Sequence, residues 1–352
     1  MRNLLRMSGA IVALMFLVGI SAEETLAATL YVENYGVDSA SCGPVTEPCR
    51  SISRAITNAS DGDTITVGPG RYGDLNGDVS LGGPGEEAGP AGCACMIEVN
   101  KALTLMSRDG AAATIIEVGS VGVDAVRIES SGAVFGRKGR GFTVLGTANH
   151  VDVITSTDTA GVVIEGNHFR GFPSDVGVVL NGVGHLVIGN LVTGSKDYGF
   201  WVKGSAHQLT GNVLEGNRTG LRVDGTGSEF TENIVIANQS RGFEITAGPH
   251  LITRNVIVAN HGVGIVAVAP AISVQRNNIY GNAAAAGAAG GEINCGLVNV
   301  SGGIVDATEN FWGVASGPGS DPADTVCNVP PSTTVIDPVA TKPFNIPVGA
   351  GR

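Results

Sequence analysis

The chain is poor in charge, in aromatic rings and in long apolar runs. Charged residues make up 15% of its 352 positions and aromatic residues 5%. Lys and Arg together number 21 against 32 Asp and Glu, a net charge of −11 with neutral histidines. The one basic run, Arg137-Lys138-Gly139-Arg140, is short and broken by glycine. It reads as a solvated turn, and an acidic chain without a basic patch excludes nucleic acid as a partner, because that affinity rests on phosphate neutralisation. No apolar stretch reaches the roughly 20 residues of a membrane-spanning helix. The longest, 10–20, follows Arg2 and Arg6 and precedes the small residues Ala22, Ala27 and Ala28. That is the layout of a secretory signal peptide, so residues 1–28 are assigned to one, and the mature protein is expected to be soluble and exported, secreted or periplasmic. Helical periodicity is nearly missing. Only 51–59 carries apolar residues (Ile52, Ala55, Ile56, Ala59) on one helical face.

What is abundant is glycine, 53 residues, and a repeat. Asn167, Asn190, Asn212, Asn233, Asn255 and Asn277 recur at intervals of 21–23 residues, and Asn217, Asn238, Asn260 and Asn282 follow five residues behind the last four of them. Gly177, Gly199, Gly220, Gly242 and Gly264 keep the same period, each opening an alternating stretch whose first and third following residues are apolar, as in Phe200/Val202 and Phe243/Ile245. Further apolar columns stand three residues before each asparagine (Ile164 to Val274) and two after it (Phe169 to Ile279). A period of 20–50 residues marks a solenoid. Three short strands per period, each with one inward face, stack on their own equivalents one turn later at about 4.8 Å per coil. The asparagines are placed at the bends, where Asn tolerates left-handed backbone and can bond its neighbours above and below. The expected fold is all-β: a three-sheet parallel β-helix of about 22 residues per coil, closed at its start by the 51–59 helix.

The six cysteines lie outside the repeats. With an export signal, disulfides are the default. Of the fifteen possible pairings, Cys42–Cys49 and Cys295–Cys327 close loops at the two ends and leave Cys93–Cys95. The domain layout is then 1–28 signal peptide, 29–328 β-helix, its end closed by the 295–327 region, and 329–352 an extended or mobile Pro- and Thr-rich tail. Residues 283–291 read as a flexible loop, and the chain is expected to be a monomer.

The Gly-apolar-x-apolar and apolar-x-x-Asn-x-apolar-x-x-Asn pattern resembles the right-handed parallel β-helix repeat of the pectin-lyase-like superfamily. Asn310-Phe311-Trp312-Gly313 with Ser316-Gly317-Pro318-Gly319 resembles the ending of its secreted members, and 48–72 their capping segment and first coil. The resemblance implies the right-handed coil and a link to carbohydrate. It does not fix a chemistry, since the fold hosts lyases, hydrolases, epimerases and adhesins. The Asp-Asp, Gly-His-Gly and Arg-x-Lys motifs of the polygalacturonases are absent, Asn260-His261-Gly262 being the nearest approach. The Arg motif of the pectate lyases is absent too, Arg170-Gly171-Phe172-Pro173 being only superficially similar.

Function is therefore sought on the outward columns. After each glycine these read Val179, Trp201, Arg222, Glu244, Val266 and Asn181, Lys203, Asp224, Thr246, Val268, with Asp175, Asp197 and Arg218 in the preceding turn. Arg222, Asp224 and Glu244 are the catalytic candidates, the two carboxylates being diagonal neighbours at a separation compatible with an acid/base pair. Trp201, Lys203, Asp197 and Arg218 are the substrate-binding candidates, a ring platform with charges for a glycan. Two functions follow. One is a polysaccharide lyase, glycoside hydrolase or epimerase; the other is a non-catalytic adhesion or scaffold protein. The charges also form ordinary cross-strand ion pairs. No metal ligands are assigned. His185, His207 and His250, with Ser228 between the last two, form one column and are expected to be a hydrogen-bonded structural stack. Calcium is the one cofactor left open. Asp74-Leu75-Asn76-Gly77-Asp78 begins like a calcium loop but lacks the following Gly and has Gly85 where the bidentate Glu belongs.

Overall fold

The computed structural model describes residues 26–347 apart from 91, 120, 148, 172–173, 284–293 and 321. Nearly all of the signal-peptide assignment, and of the 283–291 loop, lies outside these residues. Within them the chain winds through three sheets whose strands all pair in parallel, with twelve, ten and nine strands. A typical coil runs Tyr198–Val202 in the ten-stranded sheet, Gln208–Thr210 in the twelve-stranded sheet and Val213–Glu215 in the nine-stranded sheet, then enters the next at Thr219–Val223. Parallel crossovers of this kind wind right-handed.

The register follows the sequence columns. Val178, Phe200, Leu221, Phe243 and Ile265 stack rung on rung. So do Val187, Leu209, Phe230, Ile252 and Val274, and Val192, Leu214, Val235, Ile257 and Ile279. All fifteen are fully buried. Each contributes about 1.5–3 kcal/mol by leaving water, so the columns form one continuous core along the coil axis. The glycine column has a steric cause. A Cβ on Gly199 would lie 2.7 Å from the carbonyl oxygen of Gly220, and one on Gly242 2.5 Å from that of Gly264.

The asparagine corner differs from expectation in one respect. The asparagines themselves are not left-handed; the residue before each of them is. Gly166, Gly189, Gly211, Glu232, Arg254, Arg276 and Glu309 all have φ between 55° and 69°. Each asparagine instead acts through its side chain. Asn212 Oδ1 accepts from the backbone N–H and the Nδ2 of Asn190, both at 3.0 Å, while Asn212 Nδ2 donates to the carbonyl of Val187 at 2.8 Å and to Asn233 Oδ1 at 3.0 Å. The stack also runs one member further than the period shows. Asn310 receives Asn277 across 33 residues. The second stack starts at the backbone of Ser195 and ends on the Asp324 carboxylate.

The histidine column is a structural stack. His207 Nδ1 accepts from the His185 backbone N–H at 3.1 Å, Ser228 Oγ from His207 at 3.2 Å, and His250 Nδ1 from Ser228 at 3.2 Å. Burial, then the neighbouring His185, pushes the His207 pKa down to about 4, so its ring is neutral.

Among the described residues the single helix is Ile52–Asn58, N-capped by Ser51, whose Oγ accepts from Arg54 N–H. Ile52, Ala55 and Ile56 face the open start of the coil. The three disulfides pair as expected: Cys42–Cys49, Cys93–Cys95 and Cys295–Cys327. The C-terminal end is built into the coil. Cys295–Asn299 and Thr325–Asn328 extend the ten-stranded sheet, so the disulfide-linked region continues the solenoid. The segment after 328 is extended but not loose. Thr333–Val335 adds a strand beside Ile304–Asp306, and the Phe344 backbone exchanges two hydrogen bonds with the Asn278 side chain.

Candidate functional site

Four rungs of the ten-stranded sheet, Val176–Leu180, Tyr198–Val202, Thr219–Val223 and Arg241–Ile245, set out the expected face. Register places Trp201 beside Arg222 and Arg222 beside Glu244. The first rung is apolar, with Val179 only 3% exposed. On the next three, side chains converge on one carboxylate. Asp224 accepts from Trp201 Nε1 at 2.7 Å, from Arg222 Nε at 2.9 and 3.0 Å to its two oxygens, and from Thr246 Oγ1 at 2.5 Å. Partial burial alone would raise the Asp224 pKa. The bonds from Thr246, Trp201 and Arg222, with the Arg222 charge, outweigh it and hold the group below the ordinary Asp value. Arg222 is raised in turn, first by its bond to Asp224. A carboxylate so saturated stays ionised and has no proton to give near neutral pH.

Glu244 is held differently. Arg241 NH1 lies 2.8 Å from its Oε1 and Arg222 NH1 3.9 Å, and its side chain is 16% exposed. Arg222 NH1 also donates to the Tyr198 hydroxyl at 3.1 Å. The Lys203 ammonium sits 3.6 Å from the Trp201 ring centroid, and the Tyr198 and Trp201 rings are tilted at 5.6 Å. Asp197 and Arg218 form a rim ion pair at 2.8 Å, away from the Asp224 cluster. The structure thus brings Trp201, Lys203, Arg222 and Asp224 together, sets Glu244 beside them and leaves Asp197 and Arg218 as a separate pair.

Sequence reasoning missed Tyr198 and Arg241. Both stand immediately before a glycine of the column, at Gly199 and Gly242, so the period itself marks a third outward column that carries them. It also missed a groove of about 490 Å³ on the corner between the twelve- and nine-stranded sheets, lined by Asp109, Lys138, Glu165, His168 and Thr210 among others. None of the residues of the Trp201 face borders it. The basic run meets that corner: Arg137 lies 3.7 Å from Glu165, and Arg140 donates to the Ser107 carbonyl. Arg137 and Arg140 are therefore paired rather than simply solvated. His168 is lowered in pKa by burial and then by Arg170.

This coil of parallel rungs with an inward apolar core is a right-handed parallel β-helix. The family model described as right handed beta helix region matches residues 152–311. The chain is a right-handed parallel β-helix protein with the pectin-lyase-like fold. Among solved structures it is similar to the pectate lyase Pel9A, at 14% identity with a TM-score of 0.57, covering 90% of this chain and 79% of that one. It is similar to the Dettilon tailspike protein, at 12% identity and a TM-score of 0.54, covering 85% and 68%. An alginate lyase from Paenibacillus sp. is 10% identical with a TM-score of 0.52, covering 89% and 99%. These identities carry the fold and no residue roles. No curated protein matches the sequence. Among the described residues no helix is long and apolar enough to cross a membrane.

Proposed function

We propose that this is an exported, carbohydrate-associated β-helix that binds a polysaccharide along the outer face of its ten-stranded sheet. The convergence of three donor side chains on Asp224 carries the reading. It fixes the Trp201 ring and the Arg222 guanidinium without leaving Asp224 free for acid/base work, as expected of a rigid binding platform. In this role Trp201, Tyr198 and Lys203 contact the sugar, Arg222 and Glu244 supply polar edges, and Asp224 positions. The names of the similar structures, two lyases and a tailspike, support a glycan as the ligand. Three disulfides support an oxidising compartment.

The test is a panel of acidic and neutral polysaccharides, measured for binding and assayed for unsaturated products and new reducing ends. Binding that Trp201→Ala weakens at least tenfold, without turnover, is the expected result. Turnover abolished by Glu244→Gln or Arg222→Ala would replace the binding reading with an enzymatic one. Binding to no glycan in the panel would leave the scaffold role.

A further inference from the structure

The loop between the strands Gly70–Gly73 and Cys95–Val99 carries a cluster of hard oxygen ligands that the Trp201 face does not use. A carboxylate oxygen from each of Asp74, Asp78 and Glu86 lies within 4.8 Å of the other two. Two calcium ligands on opposite sides of one ion stand at most about 5 Å apart, so the spacing fits a shared Ca²⁺. Asp74 and Glu86 are 6% and 4% exposed, and among the described residues none of the three carboxylates forms a salt bridge.

The second observation concerns one atom. Asp74 Oδ1 accepts from Gly77 N–H at 2.9 Å, but Asp74 Oδ2 is buried with no hydrogen-bond partner. A buried, ionisable oxygen left bare is costly unless a cation or proton covers it. The sequence pattern stopped one residue short. Gly85 occupies the position of the missing glutamate, and the chain supplies the carboxylate from Glu86, held by the Asn76 and Gly83 backbone N–H groups at 3.1 and 3.0 Å.

We infer that Asp74, Asp78 and Glu86 form a divalent-cation site of the calcium type. All three ligands are oxygens, and the cluster has neither histidine nor thiol, which disfavours zinc and the softer metals. Ca²⁺ accepts the irregular, carboxylate-rich geometry of a loop more readily than Mg²⁺, which demands an octahedron and keeps its waters.

The site reaches the end of the solenoid through the next residue. Glu87 is buried and accepts from the backbone N–H groups of Ile52 and Ser53 at 2.8 and 2.9 Å and from the Ser53 hydroxyl at 2.7 Å. Those are the first N–H groups of the capping helix. An ion that gathers 74–86 therefore steadies the Glu87 contact that docks the cap.

The experiment uses the whole oxidised protein, stripped with chelator, and CaCl₂ and MgCl₂ as probes in calorimetric titration and thermal melting. One Ca²⁺ per chain is expected, with a Ca²⁺-dependent rise in Tm and Mg²⁺ binding at least about tenfold weaker. Asp74→Asn and Glu86→Gln keep the side-chain shape. Each should leave the stripped protein's Tm equal or higher and abolish the Ca²⁺ rise. Trp201→Ala should leave that rise intact, which keeps this outcome distinct from glycan binding. No heat and no Tm change with Ca²⁺ would overturn the assignment, as would an unaltered response in both carboxylate variants. If both variants unfold when stripped, Asp78→Asn on the exposed ligand decides by the same readout.

Discussion

The asparagine corner and the Trp201 face are built on the same rungs and use polar side chains in opposite ways. At the corner each side chain repeats, is fully buried and spends every donor and acceptor on the rungs above and below. On the four rungs of the face no column repeats a residue, the groups are partly exposed, and their bonds run sideways as well as along the stack. Repetition marks what holds the coil; departure from it marks what the coil can present to a ligand. Stability should therefore reside at the corner and specificity on the face.

Breaking the corner is expected to have the largest effect. Asn233→Ala strands the Asn212 N–H and the Leu209 carbonyl in the interior, a loss of about 3–5 kcal/mol in urea unfolding. A cost below about 1 kcal/mol would show that water or backbone shifts replace the side chain, and the contrast would weaken.

A second substitution tests a buried polar group outside the stacks. Asp152 stands in the register of the glycine column, opposite Gly177, fully buried and bonded to Ser174 Oγ, with Oδ2 unpartnered. Burial raises its pKa to about 7, against opposing bonds from Ser174 and Gly146. Between about pH 4 and pH 7 the unfolded chain releases this proton while the folded chain keeps it, so stability falls as pH rises. The slope is about 1.4 kcal/mol per unit and the total on the order of 4 kcal/mol. Asp152→Asn should match the wild type near pH 4 and exceed it at pH 8, read from unfolding midpoints. Equal pH profiles would refute the assignment.

On the face, Asp224→Ala should cost about 1–2 kcal/mol, because it releases Trp201 Nε1 and Arg222 together. Glu244→Gln keeps the side-chain shape, and its Arg241 partner is exposed to solvent, so it should cost under about 1 kcal/mol. A reversed order would move the organising role from Asp224 to Glu244.

The smallest effect concerns backbone. Ala237 and Ala259 precede Asn238 and Asn260 with φ of 53°, whereas their counterparts Gly216 and Gly281 are glycines. Changing either alanine to glycine relieves left-handed strain and adds unfolded-state entropy, leaving a net gain of about 0.5 kcal/mol, measurable as a small rise in Tm.

How much of this was legible in the sequence follows from the same contrast. The period made the inward columns and the stacking of Trp201, Arg222 and Glu244 readable, because each is set by register; the disulfide pairing came instead from loops closed at the two ends of the chain. It misplaced the left-handed residue by one position, since Asn at a bend has two uses and composition does not tell a backbone role from a side-chain role. Asn310 escaped because its coil is longer than the rest. The hold of Trp201, Arg222 and Thr246 on Asp224 was not legible, as it depends on rotamers rather than rungs. Glu86 was missed because a fixed loop template counts residues, whereas a ligand cluster counts distances.

The 33-residue step from Asn277 to Asn310 has a further meaning. Other steps in the stack are near 22, yet the Asn277 N–H and Nδ2 meet Asn310 Oδ1 at 2.8 and 3.0 Å, as closely as any shorter pair. The chain takes up the eleven extra residues, 33 less 22, without disturbing the spine. Such a molecule can change its outline while its axis stays fixed. One rung can thus differ in length from its neighbours while the stack that runs through it keeps its bonds.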